Sequence, residues 1–260
     1  MLDPTVVISA LNAKPPEIIW VLLLVVCFSS ILLMQRLFGT TGLYVYVALA
    51  IIGANLQVLK LVQFSVYADP VALGTILFAS TYLCTDILAE HYGRAAALKA
   101  VWIGFTSLLF FNVIMALTLG FTPLMPEQAG EKLAWALSTH QHMAALFTPI
   151  PALFAAGMIA YFVSQFHDIW LFRLLSHLTN GRHLWLRNNA STWLSALIDN
   201  TIFSVLAWVV FAVHPIGLEP LIFTFILGTY LLRIIVSTLD TPFVYLARFS
   251  VRPVVAEAAA

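Results

Sequence analysis

No charged residue occurs between Ala100 and Met125, and between Ile18 and Phe38 Arg36 is the single one. Apolar runs of this length recur along the chain. A helix rises about 1.5 Å per residue, so roughly 20 apolar residues cross a bilayer core. In lipid every backbone N–H and C=O must be satisfied within the segment, which a helix does. The expected spans are 18–38, 43–64, 70–91, 98–121, 147–173, 189–213 and 221–247. Composition agrees: 62% of the residues are hydrophobic and 9% charged, against about 45–50% apolar and about 25% charged in soluble domains. The expected fold is an all-α polytopic transmembrane bundle of about seven spans. It forms a single domain, 1–260, with 18–38 as an extra N-terminal span and 43–247 as the core bundle.

The breaks between runs have their own chemistry. Gly39, Thr40, Thr41 and Gly42 part the first two spans. Asp69-Pro70 opens the third, since proline is tolerated in a first helical turn, and Gly93 closes it as a C-cap. "TNGRHLWLRNN" parts the fifth and sixth spans, and "HPIGLEP" the sixth and seventh. The segment before the first span lacks the basic region of a signal peptide, so 18–38 reads as a retained span. With the N-terminus outside, Arg36, Arg94, Lys99, Arg173, Arg182, Arg187, Arg248 and Arg252 fall on the cytoplasmic side. Lys14, Lys60 and Lys132 fall outside and Arg233 lies within a span, the bias that sets orientation. The C-terminus is then cytoplasmic. The outer segment 122–146 has room for a short surface helix. Trp20, Tyr44, Tyr67, Trp170, Trp185 and Trp193 fall near span ends, where amphipathic rings favour the headgroup layer.

Several function classes are disfavoured. The formal net charge is zero, so nothing points to nucleic acid. Cys27 and Cys84 sit in apolar runs and read as small buried hydrophobes, not a disulfide framework. No Walker, HExxH or GxSxG segment occurs. His140 and His142 in "THQHM" read as solvated loop residues, and no cofactor or metal ligand set is expected.

Polar residues inside the spans carry more information. An ionisable group in hydrocarbon costs about 2.5–3.5 kcal/mol on insertion scales, so it faces the bundle interior and marks a substrate or ion path. "TYLCTDILAEHYG" places Asp86 and Glu90 four residues apart on one helical face. Ser191, Ser195 and Asp199 form a second stripe, Arg233, Ser237 and Asp240 a third, and Gln165 and Asp168 a fourth. Asn189 and Thr192 flank the second. Asn55 and Gln57 cannot share a face, and Asn55 is the one expected to point inward.

Each has a plainer alternative. Asp199 and Arg233 can neutralise each other. Ser191, Thr192 and Ser195 can bond neighbouring helices. Glu90 can pair with Arg94 at i+4, as a helix-end or gate contact. Asp168 has Arg173 nearby, and His167 reads as a packing residue. Stripes from four spans nevertheless point to a polar cavity. Carboxylates and amides match a planar heterocycle, and Phe78, Tyr82, Phe111, Phe166 and Trp193 offer rings for stacking. The pairs Ala50/Ala54 and Ala156/Ala160 permit close helix contact, inside the bundle, at a homodimer seam or against a partner; the internal reading requires least.

The segments "TDILAEHYG" (85–93), "YFVSQFHDIWLF" (161–172), "LWLRNNASTWLSALIDNTIF" (184–203) and "LDTPFVYLAR" (239–248) resemble the queuosine precursor transporter family, once called vitamin uptake transporters. "LFGTTGLYVYVALAIIGANLQVLK" (37–60) is similar to its longer, seven-span branch. The resemblance implies multi-pass residence in a bacterial inner membrane. It also implies import of 7-cyano-7-deazaguanine, 7-aminomethyl-7-deazaguanine or queuine, and a fold like the substrate-binding subunits of energy-coupling-factor vitamin importers. It places the family's polar positions on Asp86, Gln165, Asp168, Asn189, Ser191, Thr192, Asp199 and Asp240. One departure is Ala196 after Ser195, where many members carry Gln. A transporter acting alone or as a homodimer is expected. The alternative is a binding subunit that needs a separate ATPase module.

Overall fold

The computed structural model describes residues 3–65, 70–147, 150–212 and 214–250. Tyr67, Asp69 and Arg252 lie outside them. The described helices are α1 (Pro4–Asn12), α2 (Pro16–Gln57), α3 (Thr75–His91), α4 (Arg94–Gly120), α5 (Pro126–Ala129), α6 (Ala134–Phe147), α7 (Ile150–Leu178), α8 (Leu184–Val205), α9 (Leu218–Pro220) and α10 (Thr229–Ser250). Wide π-helical turns extend α8 over Leu206–Val210 and join α9 to α10 over Leu221–Gly228. The molecule is an all-α membrane bundle. Pro16–Gln57, Arg94–Gly120, Leu184–Val210 and Leu218–Ser250 are each long and apolar enough to cross a membrane.

α2 contains the expected break. Gly39 has φ 59° and ψ −136°, a conformation open chiefly to glycine. A Cβ on Gly42 would lie 2.1 Å from the carbonyl oxygen of Met34. Residues eight apart in a straight helix stand about 12 Å apart, so the chain reverses at Gly39. Cys27 and Tyr46 meet across the resulting hairpin. Both cysteines are free and buried.

Three of the boundaries that differ from the hydropathy reading bear on the core. The helix expected as the second span ends at Gln57, so Lys60 lies in the connection and not in a helix. The third begins at Thr75 instead of Pro70. Between them β1 (Leu61–Val62) pairs antiparallel with β2 (Val71–Ala72), and Leu73 N–H donates to Lys60 C=O at 2.9 Å. This ribbon satisfies its own backbone where the chain leaves the helix. Glu17 ties the start of α2 to the same connection, accepting from Ser65 N at 2.6 Å and Ser65 Oγ at 2.8 Å. The helix expected as the sixth span begins at Leu184 instead of 189, because Arg187, Asn188 and Asn189 are buried inside α8. Arg187 is therefore not a loop residue, and Trp193 lies in mid-helix.

α3 is the central helix, packed against α2, α4, α7, α8 and α10. Every residue from Ala79 to Ala89 is buried. Gly93, at φ 85°, separates α3 from α4. α7 and α8 form the most extensive helix pair. Ala50, Ala54, Ala156 and Ala160 are all buried within the chain, so these small residues serve internal packing. α1 was not expected from the sequence; Asp3 caps it by accepting from Thr5 N at 2.9 Å, and none of its residues is buried. α6 is the expected surface helix, with no buried residue. The outside is apolar, with Leu22, Leu33, Phe110, Leu117, Trp170 and Leu246 exposed, while polar side chains fill the centre.

Candidate functional site

Helical periodicity builds the polar centre. On α3, Phe78, Tyr82, Asp86 and Glu90 follow at four-residue spacing and cover about 18 Å. On α8, Arg187, Ser191, Ser195 and Asp199 repeat the spacing in the opposite direction. α7 adds Ser164, Gln165 and Asp168, and α10 adds Arg233, Ser237 and Asp240; all six are buried. The stripes converge on one polar core.

At the ribbon end the core opens into a cavity of about 290 Å³, near the low end of the ~300–1,000 Å³ range of small-molecule sites. Asn55, Asp199 and Arg233 line it among aromatic Phe78, Phe203, Trp208 and Phe225. Asn55 Nδ2 donates to Ile51 C=O at 2.8 Å, which leaves its oxygen for another partner. Gln57 is not among the lining residues. The Trp208 indole N–H and the Arg233 Nε–H are buried without hydrogen-bond partners. Asn200 and Ser204 bond the π-turn carbonyls of Ile226 and Phe225 at 3.3 and 3.4 Å, which joins α8 to the widened segment beside the cavity.

Asp199 and Arg233 form the cavity floor as an ion pair. Asp199 Oδ1 also accepts from Ser164 Oγ at 3.0 Å, and Ser164 accepts from the Tyr82 hydroxyl at 2.9 Å. The Arg233 guanidinium lies 5.4 Å from the Phe78 ring centroid.

Deeper in, Gln165 bridges α7 to α3. Its Nε2 donates to Thr81 Oγ1 at 2.8 Å, and its Oε1 accepts from Thr85 Oγ1 at 3.2 Å. Ser195 bonds His167 at 2.9 Å and Ser191 donates to Asn188 C=O at 3.3 Å. Thr192 Oγ1 is buried without a partner. Asn189 Nδ2 donates to Trp185 C=O at 2.8 Å and to Thr241 Oγ1 at 2.7 Å.

Below this layer Asp86 stands beside Asp168 and Asp240. All three carboxylates are 0% exposed. Both oxygens of Asp86 and Oδ2 of Asp240 are buried without hydrogen-bond partners, and the Ser191 and Ser195 hydroxyls stand beside Asp168. Asp240 Oδ1 accepts from Asn188 Nδ2 at 2.7 Å. Arg173 forms no ion pair with Asp168.

At the Gly93 end the expected Glu90–Arg94 pair is replaced. Glu90 Oε1 lies 2.7 Å from Nη2 of Arg187, on α8, while Arg94 is exposed. Arg187 Nη1 also donates to Ser176 Oγ at 2.7 Å, and its guanidinium lies 5.2 Å from the Phe172 ring centroid. Helix-surface spacing made Arg94 the nearest base in sequence; the tertiary fold supplies a closer one.

The expected site residues therefore divide into a cavity group of Asn55, Asp199 and Arg233 and a deeper acidic group of Asp86, Asp168 and Asp240. Gln165, Asn189, Ser191, Thr192 and Ser195 lie along α7 and α8. Of the expected stacking rings, Phe78 lines the cavity. Phe111 packs on Phe147 and Phe166 on Phe162, whereas Trp193 Nε1 donates to Ser237 Oγ at 2.9 Å.

Residues 72–247 match the family described as "Putative vitamin uptake transporter". The chain belongs to that family. A similar protein is the "Probable queuosine precursor transporter" of Bacillus subtilis (strain 168), 32% identical over 230 residues, covering 88% of this chain and 93% of the relative. No solved structure matches the chain. As a vitamin uptake transporter family member, the protein is a membrane transporter of a small molecule and not an enzyme.

Three participants in this transporter's core escaped the sequence reading. Asn188 and Arg187 fall in the loop-like segment "TNGRHLWLRNN", although Arg187 stands four residues before Ser191 and so continues the α8 stripe. Trp208 carries no charge to mark it. Gln35 is also fully buried, with both amide atoms unpartnered, and no stripe pointed to it.

Proposed function

We propose that this chain imports queuosine precursors, the 7-deazaguanine bases, across a bacterial cytoplasmic membrane. The observation that carries the reading is the cavity beneath the ribbon. Its aromatic walls suit a flat ring. Asn55 and Asp199 supply acceptors and the Arg233 guanidinium supplies donors in its lining, as a neutral heterocycle with both kinds of edge requires. The relative named as a queuosine precursor transporter supports the same substrate class. In this reading Asn55, Asp199 and Arg233 meet the base first. Asp86, Gln165, Asp168, Asn189, Ser191, Thr192, Ser195 and Asp240 line its onward path, and Glu90 with Arg187 closes the far end. The chain is one domain of seven spans, with its N-terminus outside and its C-terminus in the cytoplasm, working alone or as a homodimer in the lipid bilayer.

The test is restoration of queuosine in tRNA in a precursor auxotroph supplied with 7-cyano-7-deazaguanine. Unmodified tRNA despite membrane expression rejects the substrate class. Repeating the assay in a host without an energy-coupling ATPase module separates the readings: loss of uptake there indicates a binding subunit, and persistence indicates a self-sufficient transporter.

A further inference from the structure

Seven charged side chains stand in the polar core: Glu90, Asp86, Asp168, Asp199 and Asp240 against Arg187 and Arg233. Two of the acids are matched, Glu90 by Arg187 and Asp199 by Arg233. Asp86, Asp168 and Asp240 have no base of their own. They lie together at 0% exposure, Asp168 beside the Ser191 and Ser195 hydroxyls and both oxygens of Asp86 and Oδ2 of Asp240 unpartnered. Asn188, which holds Asp240, has its own Oδ1 buried and unpartnered as well. The cluster offers acceptors and needs donors or positive charge.

Three adjacent buried carboxylates cannot all stay ionised, because each isolated buried charge costs several kcal/mol. Among the described residues, no three His, Cys, Asp or Glu side chains gather closely enough to hold a metal ion. A proton needs only one oxygen and a neighbouring acceptor, and adjacent carboxylates share protons in this way. We propose that the Asp86–Asp168–Asp240 cluster is a proton-binding site that couples substrate import to inward proton movement. A proton from water on the ribbon side adds to one carboxylate oxygen, taking that group from −1 to neutral. It returns to water on the Gly93 side when the cluster opens there. Hydrogen-bonded groups stand along both directions. Tyr82, Ser164 and Asp199 lie toward the cavity, with Thr81, Thr85 and Gln165 between. Glu90, 26% exposed in its side chain, stands at the other end.

Other titratable groups stand on the packed elements. On α3 Cys84 is free and buried and His91 Nε2 is unpartnered, and on α7 His167 bonds Ser195 while the Tyr161 hydroxyl is unpartnered. From α2 Tyr46 donates to Ser80 at 2.9 Å, and from α4 Lys99 lies 5.5 Å from the Tyr44 ring centroid. Arg187, Asp199 and Arg233 are paired as described.

The inference rests on the proposed substrate, so the experiment separates the two. The purified chain is reconstituted in vesicles carrying a trapped pH-sensitive dye, with labelled 7-cyano-7-deazaguanine outside. Exchange against unlabelled precursor inside, without any gradient, tests the substrate. An acid-outside gradient of about one pH unit should then concentrate label inside, up to about tenfold per coupled proton. Adding precursor alone should acidify the lumen. Exchange with no gradient-driven accumulation and no lumenal acidification overturns the proton site, as does accumulation driven by a sodium gradient alone. Absence of exchange in every arm overturns the substrate class and the coupling together. Asp168→Asn should abolish gradient-driven accumulation and Asp168→Glu should restore part of it. The wild-type dye signal decides the matter even where the asparagine variant folds poorly.

Discussion

At the scale of single residues, the bundle is governed by which buried charges have partners. Asp199 and Arg233 are each under a tenth exposed and paired. Removing one leaves the other buried and uncompensated, at a cost of about 3–5 kcal/mol. Asp199→Asn should therefore lower the thermal midpoint of the detergent-solubilised protein sharply. The double change Asp199→Leu with Arg233→Met should recover most of that loss while uptake stays abolished, because it removes both charges together. Unfolding scans of the three proteins measure this, and a double variant no better than Asp199→Asn would refute the pairing account. The second pair is tested differently. Arg187→Ala strips Glu90 and Ser176 of a donor and should cost about 1–3 kcal/mol. Arg94→Ala, on the exposed face, should stay within about 0.5 kcal/mol of wild type. Had Glu90 used its neighbour at i+4, the order would reverse. The sequence contains the stripes but not the partner choice: four-residue spacing says which side chains share a face, and only tertiary packing says what stands opposite.

At the scale of elements, hydropathy locates helices well and their ends poorly. The break at Gly39–Gly42 was legible because glycine clusters interrupt helices for a backbone reason. The start of α8 was not, because Arg187, Asn188 and Asn189 look like loop and are buried through specific partners. The ribbon between α2 and α3 was hidden for the opposite cause: Leu61, Val62, Val71 and Ala72 are apolar and merge with the flanking runs. The consequence is a helix α3 of 17 residues, only about 25 Å long, whose end is finished by paired strands. The turn in α2 makes a sharp prediction. Gly42→Ala drives a Cβ against the Met34 carbonyl, and Gly39→Ala forces a strained backbone costing about 1–3 kcal/mol. Both should reduce the yield of folded protein on size-exclusion chromatography. Gly120→Ala, whose Cβ would meet nothing within 4 Å, should leave it unchanged.

At the scale of the whole molecule, the arrangement inverts that of a soluble protein, with an apolar exterior around a polar core. The lipid solvent accounts for both, since exposed leucine is at rest there and ionisable groups turn inward. That logic leaves orientation to the basic residues. Glu17 and Ser65 place the start of α2 and the ribbon at one end, the end that holds Lys14 and Lys60. Arg94 and Arg182 mark the connections of the opposite end. The bias predicts that the ribbon end is extracellular. Single cysteines can read this directly, because native Cys27 and Cys84 are buried at 5% and 0% exposure and give little background. In intact cells a membrane-impermeant maleimide should label Lys14→Cys and Lys132→Cys. It should spare Arg182→Cys and Arg94→Cys until the membrane is opened. The reversed pattern would place the cavity mouth in the cytoplasm and overturn the orientation. Labelling at all four positions in intact cells would mean insertion in both orientations, which the excess of basic residues at one end opposes.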